Sequence, residues 1–156
     1  MTTRLRGGDE SGTAAIEFAL MTPFLMILIG GVIEFGLAMY ESMQVNAAVE
    51  AGVLYAAANG WNSADISGAV TGAGSLPAQY SLTATPAPTE FCGCPIAGGS
   101  VSNLGATPPC STTACSGGTA AGTYVQVNAS LNHLVVLPTT WGLPSAITAS
   151  AVVRIQ

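Results

Sequence analysis

Lysine is absent from this chain, and charge of either sign is sparse. Only 7% of the 156 residues are charged, the three cations are Arg4, Arg6 and Arg154, and the formal net charge is −5. Nucleic-acid binding needs a clustered basic surface, so the composition argues against a nucleic-acid partner. The acidic residues are spread along the chain rather than gathered in a tail, and they indicate no particular cationic partner.

Histidine is also scarce, since His133 is the single one. It lies in a strand-like segment, and no serine, cysteine or acid accompanies it in a recognisable motif. A structural or surface role is therefore favoured over catalysis. The sequence contains no nucleophile elbow, no phosphate loop and no paired catalytic carboxylates. We expect no enzymatic activity and no cofactor.

The dominant feature is an apolar stretch from Gly12 to Tyr40. Roughly 20 apolar residues cross the ~30 Å hydrocarbon core of a bilayer, so this stretch is long enough to span a membrane. Arg4 and Arg6 precede it, and no further cation follows before Arg154. The positive-inside rule then predicts a cytoplasmic N-terminus and an exported remainder. A cleaved signal peptide is disfavoured, because its apolar region is usually only about 7–15 residues long.

Two acids accompany the apolar stretch, Glu17 at its leading edge and Glu34 well inside it. A charge at the bilayer centre costs about 2.5–3.5 kcal/mol on insertion scales, so each acid needs a partner or a function. Glu34 could pair with a partner helix or approach the outer interface, and its role stays open at this point.

The helical pattern continues past Tyr40 in a different form. Apolar and small residues recur at spacings of three and four, whereas Glu41, Asn46 and Glu50 fall elsewhere around the helix. The recurring positions are Val45, Ala48, Val49, Gly52, Val53 and Ala56. The pattern predicts one helix from about Thr13 to a stop at Asn59-Gly60. Its second half is amphipathic and is expected to cover its own C-terminal domain.

The remaining chain has the pattern of a small α+β domain. Ser63 is a candidate cap for a short helix over residues 64–71, and strand-like alternation occurs in residues 80–85, 125–131 and 147–155. Strands of this kind packed on the amphipathic half of a long helix form a small antiparallel β-sheet domain.

Residues 86–122 are rich in Pro, Gly, Ser and Thr and contain all four cysteines, Cys92, Cys94, Cys110 and Cys115. A long irregular stretch is improbable in a compact domain unless cross-links hold it in place. Because disulfides persist in exported proteins, we expect the cysteines to form such cross-links. A Cys92–Cys94 bond is the least favoured pairing, because its loop is too short for relaxed geometry. Both other connectivities remain open. The spacing fits zinc poorly and no histidine lies nearby, so we expect no metal.

The residues from Gly12 to Phe18, GTAAIEF, followed by an apolar run, resemble the prepilin peptidase site of the type IV pilin class. An acid followed by an aromatic residue, here Glu17-Phe18, is typical of the tight-adherence (Tad) branch. The wider stretch ESGTAAIEFALMTPFLMILIGGVIEFG, and more weakly the tail ITASAVVRIQ, are similar to TadE-like proteins.

This resemblance implies a pilin-like pseudopilin or minor pilin that takes part in assembly of adhesive Tad pili. A prepilin peptidase would cut between Gly12 and Thr13 and remove a cytoplasmic leader, residues 1–12. Residues 13–40 would be the transmembrane and assembly half of the helix, and residues 41–156 the exported domain with its disulfide loop, 86–122. Glu17, next to Phe18, would pair with the new amino group at Thr13 of a neighbouring subunit.

The resemblance also implies the partners and the location. The partners would be the peptidase, other pilins or pseudopilins and the pilus-assembly platform, at the bacterial inner membrane. The exported domain is longer than expected for a major Tad pilin, which favours a pseudopilin. The alternative is a signal-anchored exported binding or adhesion domain that is never processed.

Overall fold

The computed structural model describes residues 10–74, 80–112, 114–133 and 145–155. Two α-helices, one short 3₁₀ helix (Cys110–Thr112) and five strands occur in these ranges, so the predicted α+β fold, pilin-like with a cysteine-rich loop, is confirmed. The elements are α1 (Glu10–Asn59), α2 (Ser63–Gly72), β1 (Leu82–Thr83), β2 (Thr89–Pro95), β3 (Val101–Asn103), β4 (Gly122–Asn132) and β5 (Ala146–Arg154). Residues 1–9, with Arg4, Arg6 and most of the predicted leader, lie outside the described ranges.

Helix α1 is one continuous helix of 50 residues, about 75 Å long at 1.5 Å per residue. It begins at Glu10, three residues before the predicted start, and continues through Pro23. The predicted end is confirmed, because Gly60 follows with a φ of 83°. Its N–H donates to the carbonyl of Ala56 at 2.9 Å, which closes the helix with a left-handed glycine.

Helix α2 is capped by Asn62 rather than by the predicted Ser63. The Asn62 side-chain oxygen accepts from the backbone N–H groups of Ala64 and Asp65 at 3.1 and 3.3 Å. Its amide also donates to the Asp65 carboxylate at 2.6 Å. Both residue types are good caps, so composition alone did not distinguish them.

Strand β4 is the centre of an antiparallel sheet. Strand β5 pairs with it along one edge, β1 and β2 share the other edge, and β3 extends the sheet beyond β2. The predicted strands over residues 125–131 and 147–155 are confirmed as β4 and β5, and the strand predicted over residues 80–85 is the shorter β1. Strands β2 and β3 lie in the stretch that we expected to be irregular.

The amphipathic half of α1 packs on β4 and β5, as predicted. Its apolar stripe and the inward face of β4 form the fully buried core, with α2 closing one side. The core residues are Val45, Ala48, Val49, Ala56, Ile66, Val70, Val125, Val127, Ala129 and Leu131. Gly52 lies next to Val127, whereas Glu34 and Glu41 lie beside His133 at the end of β4. Strand β4 therefore runs antiparallel to α1.

The four cysteines form two disulfides, Cys92–Cys110 and Cys94–Cys115. This is the interleaved one of the two connectivities that the sequence left open. With Ala121, the cysteines at positions 92, 94 and 110 form a second, small buried cluster. The two bonds thus tie the segment after β3 to strand β2.

Candidate functional site

The predicted processing and assembly residues lie together on the first turns of α1. Gly12, Thr13, Glu17 and Phe18 are all exposed, and 70% of Phe18 is accessible. Thr13 and Glu17 are four residues apart, so they lie on one face of the helix about 6 Å apart along its axis. The Gly12–Thr13 bond falls in the first turn after Glu10, where backbone N–H groups lack helical partners.

From Gly12 to Ile33 the apolar half of α1 contacts little of the rest of the protein. Nearly every residue in this segment is exposed, and its most apolar 18-residue window has no buried residue. We call residues 12–33 the free segment, and it is about 33 Å long at 1.5 Å per residue. This matches the ~30 Å hydrocarbon core. The helix is long and apolar enough to cross a membrane.

The sheet domain meets α1 at a buried cluster of Glu34, Glu41 and His133, here called the Glu–His–Glu cluster. The two glutamates are each 1% exposed and the histidine 7%. Ring atom Nδ1 of His133 lies 2.5 Å from Oε2 of Glu41, and Nε2 lies 3.3 Å from Oε1 of Glu34. The glutamates are seven residues apart, so they lie on one face of α1, about 10 Å apart along its axis.

This geometry places one carboxylate at each ring nitrogen. A neutral imidazole has a single N–H, whereas the charged ring donates from both nitrogens. Because the two carboxylates lie on opposite sides of the ring, they do not converge on one position where a cation could sit. Across the described residues, no group of three His, Cys, Asp or Glu side chains is placed to hold a metal.

This cluster was not predicted from the sequence. Glu41 was expected on the polar side of α1 with Asn46 and Glu50; those two residues are exposed, but Glu41 is buried. Glu34 was expected to pair with a partner helix or to approach the outer interface, whereas it lies beside His133 of the same chain. The available signal was the seven-residue spacing of the glutamates together with a lone histidine at the end of a predicted strand.

A family model described as TadE-like protein matches residues 12–54. Over residues 12–54, this chain is TadE-like. The match begins at Gly12, the residue that the sequence analysis placed before the scissile bond, and it covers α1 as far as Leu54. Comparisons with curated proteins and with solved structures found no match. The family places this protein with the Tad pilus system.

The TadE-like match covers the predicted processing and assembly residues and part of the Glu–His–Glu cluster. Gly12, Thr13, Glu17 and Phe18 lie in it, and so do Glu34 and Glu41. His133 and the four cysteines lie beyond it. The TadE-like segment of the helix thus supplies the two buried carboxylates, and the sheet domain supplies the ring between them.

Proposed function

We propose that this TadE-like protein is a pseudopilin or minor pilin of a Tad-type pilus, processed by a prepilin peptidase after Gly12. The observation that carries the proposal is a family match that begins at Gly12 and continues over an exposed apolar helix. The arginines before that helix favour a cytoplasmic N-terminus in the bacterial inner membrane. The sheet domain would then lie in the periplasm or outside the cell.

Glu17 and Thr13 would together set the register of assembly. Cleavage leaves a charged amino group at Thr13 on the edge of an apolar helix, and Glu17 is an exposed carboxylate one turn further on. Neighbouring subunits, staggered along their helices, would pair the amine of one with the carboxylate of the next. A charge pair in an apolar surround is a weak source of stability, but specifying register is its best-attested use.

The free segment of α1 would supply the contact with pilin-like partners. It exposes large apolar side chains along about 33 Å, including Leu20, Phe24 and Leu28. It also contains Gly30 and Gly31, and small residues let a second helix approach closely. The role is structural, and we propose no enzymatic activity.

The processing step is tested by the intact mass and N-terminal residue of the protein from native membranes, with and without the host prepilin peptidase. We expect a mature chain beginning at Thr13 that is lost when the peptidase is absent. Gly12→Leu should block the cleavage, whereas Gly8→Leu, upstream in the same leader, should leave it intact. A chain that still begins at Met1 in both hosts would instead support the unprocessed signal-anchored domain.

The assembly step is tested by pilus formation and surface attachment. Glu17→Ala is expected to abolish both, because the amine at Thr13 of the neighbour then has no counter-charge. Glu50→Ala is the matched control, since Glu50 is also an exposed glutamate on α1 but lies in the exported half. Normal pili with Glu17→Ala, at normal protein level, would refute the pairing.

A further inference from the structure

We propose that a cleft at the end of the sheet domain furthest from the free segment binds a neutral sugar residue. The cleft lies where α1 ends, and its volume is about 500 Å³. Gly60 and Trp61 line it on the helix side, and Glu90 and Thr123 line it on the sheet side. Clefts of roughly this size, with apolar walls and a few polar groups, are the usual binding sites for small molecules. We call it the distal cleft, and its proposed role is independent of processing and pilus assembly.

The first argument is the position of the distal cleft. Helix α1 continues without a break from Ile33, the last residue of the free segment, to Asn59. Gly60 is therefore about 40 Å from the free segment at 1.5 Å per residue. Strand β4 runs antiparallel to α1, so it begins at this same end, at Gly122. A polysaccharide chain could therefore reach the distal cleft even when the free segment lies in a bilayer.

The second argument is that a disulfide holds two walls of the distal cleft together. Cys110 lines the cleft with Ser111, and it is bonded to Cys92 of strand β2. Glu90 precedes Cys92 by two positions on that strand, so both residues lie on one face of the sheet. Oγ1 of Thr123 lies 3.5 Å from Sγ of Cys110. The cleft is thus preformed, which lowers the ordering cost of binding a ligand.

The third argument is the environment of Glu90. Its side chain is partly buried, and it lies opposite Val125 in the register of β2 with β4. Burial raises the pKa of the Glu90 carboxyl, and no cation or hydrogen-bond donor among the described residues offsets that burial. Burying a carboxylate without a partner is costly. Hydroxyl groups are hydrogen-bond donors, so those of a bound sugar would supply the missing partner.

The fourth argument is the combination of Trp61 with opposite charges in the lining. Trp61 is 38% exposed, and an indole ring presents a large flat apolar surface. The C–H face of a sugar ring packs on such a surface while its hydroxyl groups bond to Glu90. Glu90 and Arg154 both line the distal cleft and have opposite charges. A neutral ligand with an apolar face and several hydroxyl groups therefore fits this lining better than an anion or a cation.

The direct experiment is saturation-transfer NMR of the full-length protein in a detergent that has no sugar headgroup. The probes are D-glucose, D-galactose, D-mannose, L-fucose, N-acetyl-D-glucosamine and N-acetyl-D-galactosamine, with tetramethylammonium chloride as a cationic comparison. We expect saturation transfer to at least one of the sugars, with a Kd in the millimolar range, and none to tetramethylammonium. Transfer to none of the sugars, or to tetramethylammonium alone, would overturn the proposal.

Variants of Trp61 and Glu90 test whether the sugar binds in the distal cleft. Trp61→Ala and Glu90→Gln should each weaken the affinity about tenfold, the usual effect of losing one strong contact. Trp61→Phe keeps an aromatic face and should retain most of the affinity. Glu50→Gln is the matched control, since it removes an exposed glutamate of α1 and should leave the affinity unchanged. Circular dichroism checks that each variant is folded. Unchanged affinity in folded Trp61→Ala and Glu90→Gln would place the sugar elsewhere and overturn the proposal.

Discussion

At the scale of single residues, Gly52 is where α1 lies closest to the rest of the domain. A Cβ atom there would lie 2.6 Å from Cγ2 of Val70 and 2.8 Å from Cγ1 of Val127. Both neighbours are β-branched and stiff, and both are fully buried. We predict that Gly52→Ala destabilises the domain by about 1–3 kcal/mol, the usual cost of overpacking a core.

Gly68 is the matched control, because it lies inside α2 and a Cβ there would meet nothing within 4 Å. Glycine costs about 1 kcal/mol relative to alanine inside a helix, so Gly68→Ala is expected to be neutral or stabilising. Thermal unfolding of both variants in the same detergent, followed by circular dichroism, gives the comparison. Equal stabilisation by both substitutions would show that α1 does not approach the sheet as closely as described.

The environments of the residues in the Glu–His–Glu cluster could not be predicted from the sequence. The position of Glu17 at the leading edge of the apolar helix could be read from the sequence, because local spacing carries that information, and its role in assembly stays a prediction. The environment of Glu41 depends on which strand crosses α1 and in which direction. His133 is 92 residues away from Glu41 in the sequence, so no local periodicity in the sequence indicates that the two residues are in contact.

At the scale of elements, the N-terminus of α2 depends on Asn62. Its side chain accepts from two backbone N–H groups and donates to Asp65. The same carboxylate accepts from the Tyr55 hydroxyl at 3.4 Å, and burial, followed by the charge of Asp65, raises the pKa of Tyr55. These contacts link α2 to α1.

We predict that Asn62→Ala costs about 1 kcal/mol, the typical value for loss of a helix cap. Ser63→Ala should cost less, because the backbone carbonyl of Ser63, not its hydroxyl, accepts the bond from Ser67. Chemical unfolding of the two variants side by side measures the difference. A larger loss of stability for Ser63→Ala than for Asn62→Ala would indicate that Ser63, the residue suggested by the sequence, caps the helix.

The strands show why some elements were predictable and others were not. In β5, half-buried and exposed residues alternate along most of the strand, so its period of two is visible. In β2 four consecutive residues are buried, Phe91 to Cys94. Phe91 stacks on Tyr124 with 6.0 Å between ring centroids, while Cys92 and Cys94 enter disulfides. Burial on both faces removes the alternation from which a strand is recognised.

The disulfide loop gives a prediction at the same scale. Removing one native pair, with Cys92→Ser and Cys110→Ser together, should cost about 3 kcal/mol for a loop of this length. It should leave no free thiol, because Cys94 and Cys115 stay joined. The mismatched variant with Cys92→Ser and Cys115→Ser should retain two reactive thiols. Counting thiols with a maleimide reagent distinguishes the two connectivities, and the reverse result would favour the nested pairing.

At the scale of the whole molecule, α1 divides into a free segment and a domain-bound half. The free segment is about as long as the hydrocarbon core of a bilayer is thick, and its boundary at Glu34 is formed by the buried Glu–His–Glu cluster rather than by a break in the helix. Because α1 continues without a break from the free segment into the core, it fixes the distance between that segment and the sheet domain. The apolar pattern of the sequence predicted both halves, whereas their boundary required the position of His133.

Leu25 and Leu54 provide a test of this division. Both are leucines exposed on α1, at 52% and 62%, and about 44 Å of helix separates them. If the free segment spans the membrane with the domain outside, a membrane-impermeant maleimide should label Leu54→Cys on intact spheroplasts and leave Leu25→Cys unlabelled. Detergent should then expose Leu25→Cys as well. Labelling of Leu54→Cys only after lysis would reverse the orientation, and equal labelling of both on intact spheroplasts would place the free segment outside the bilayer.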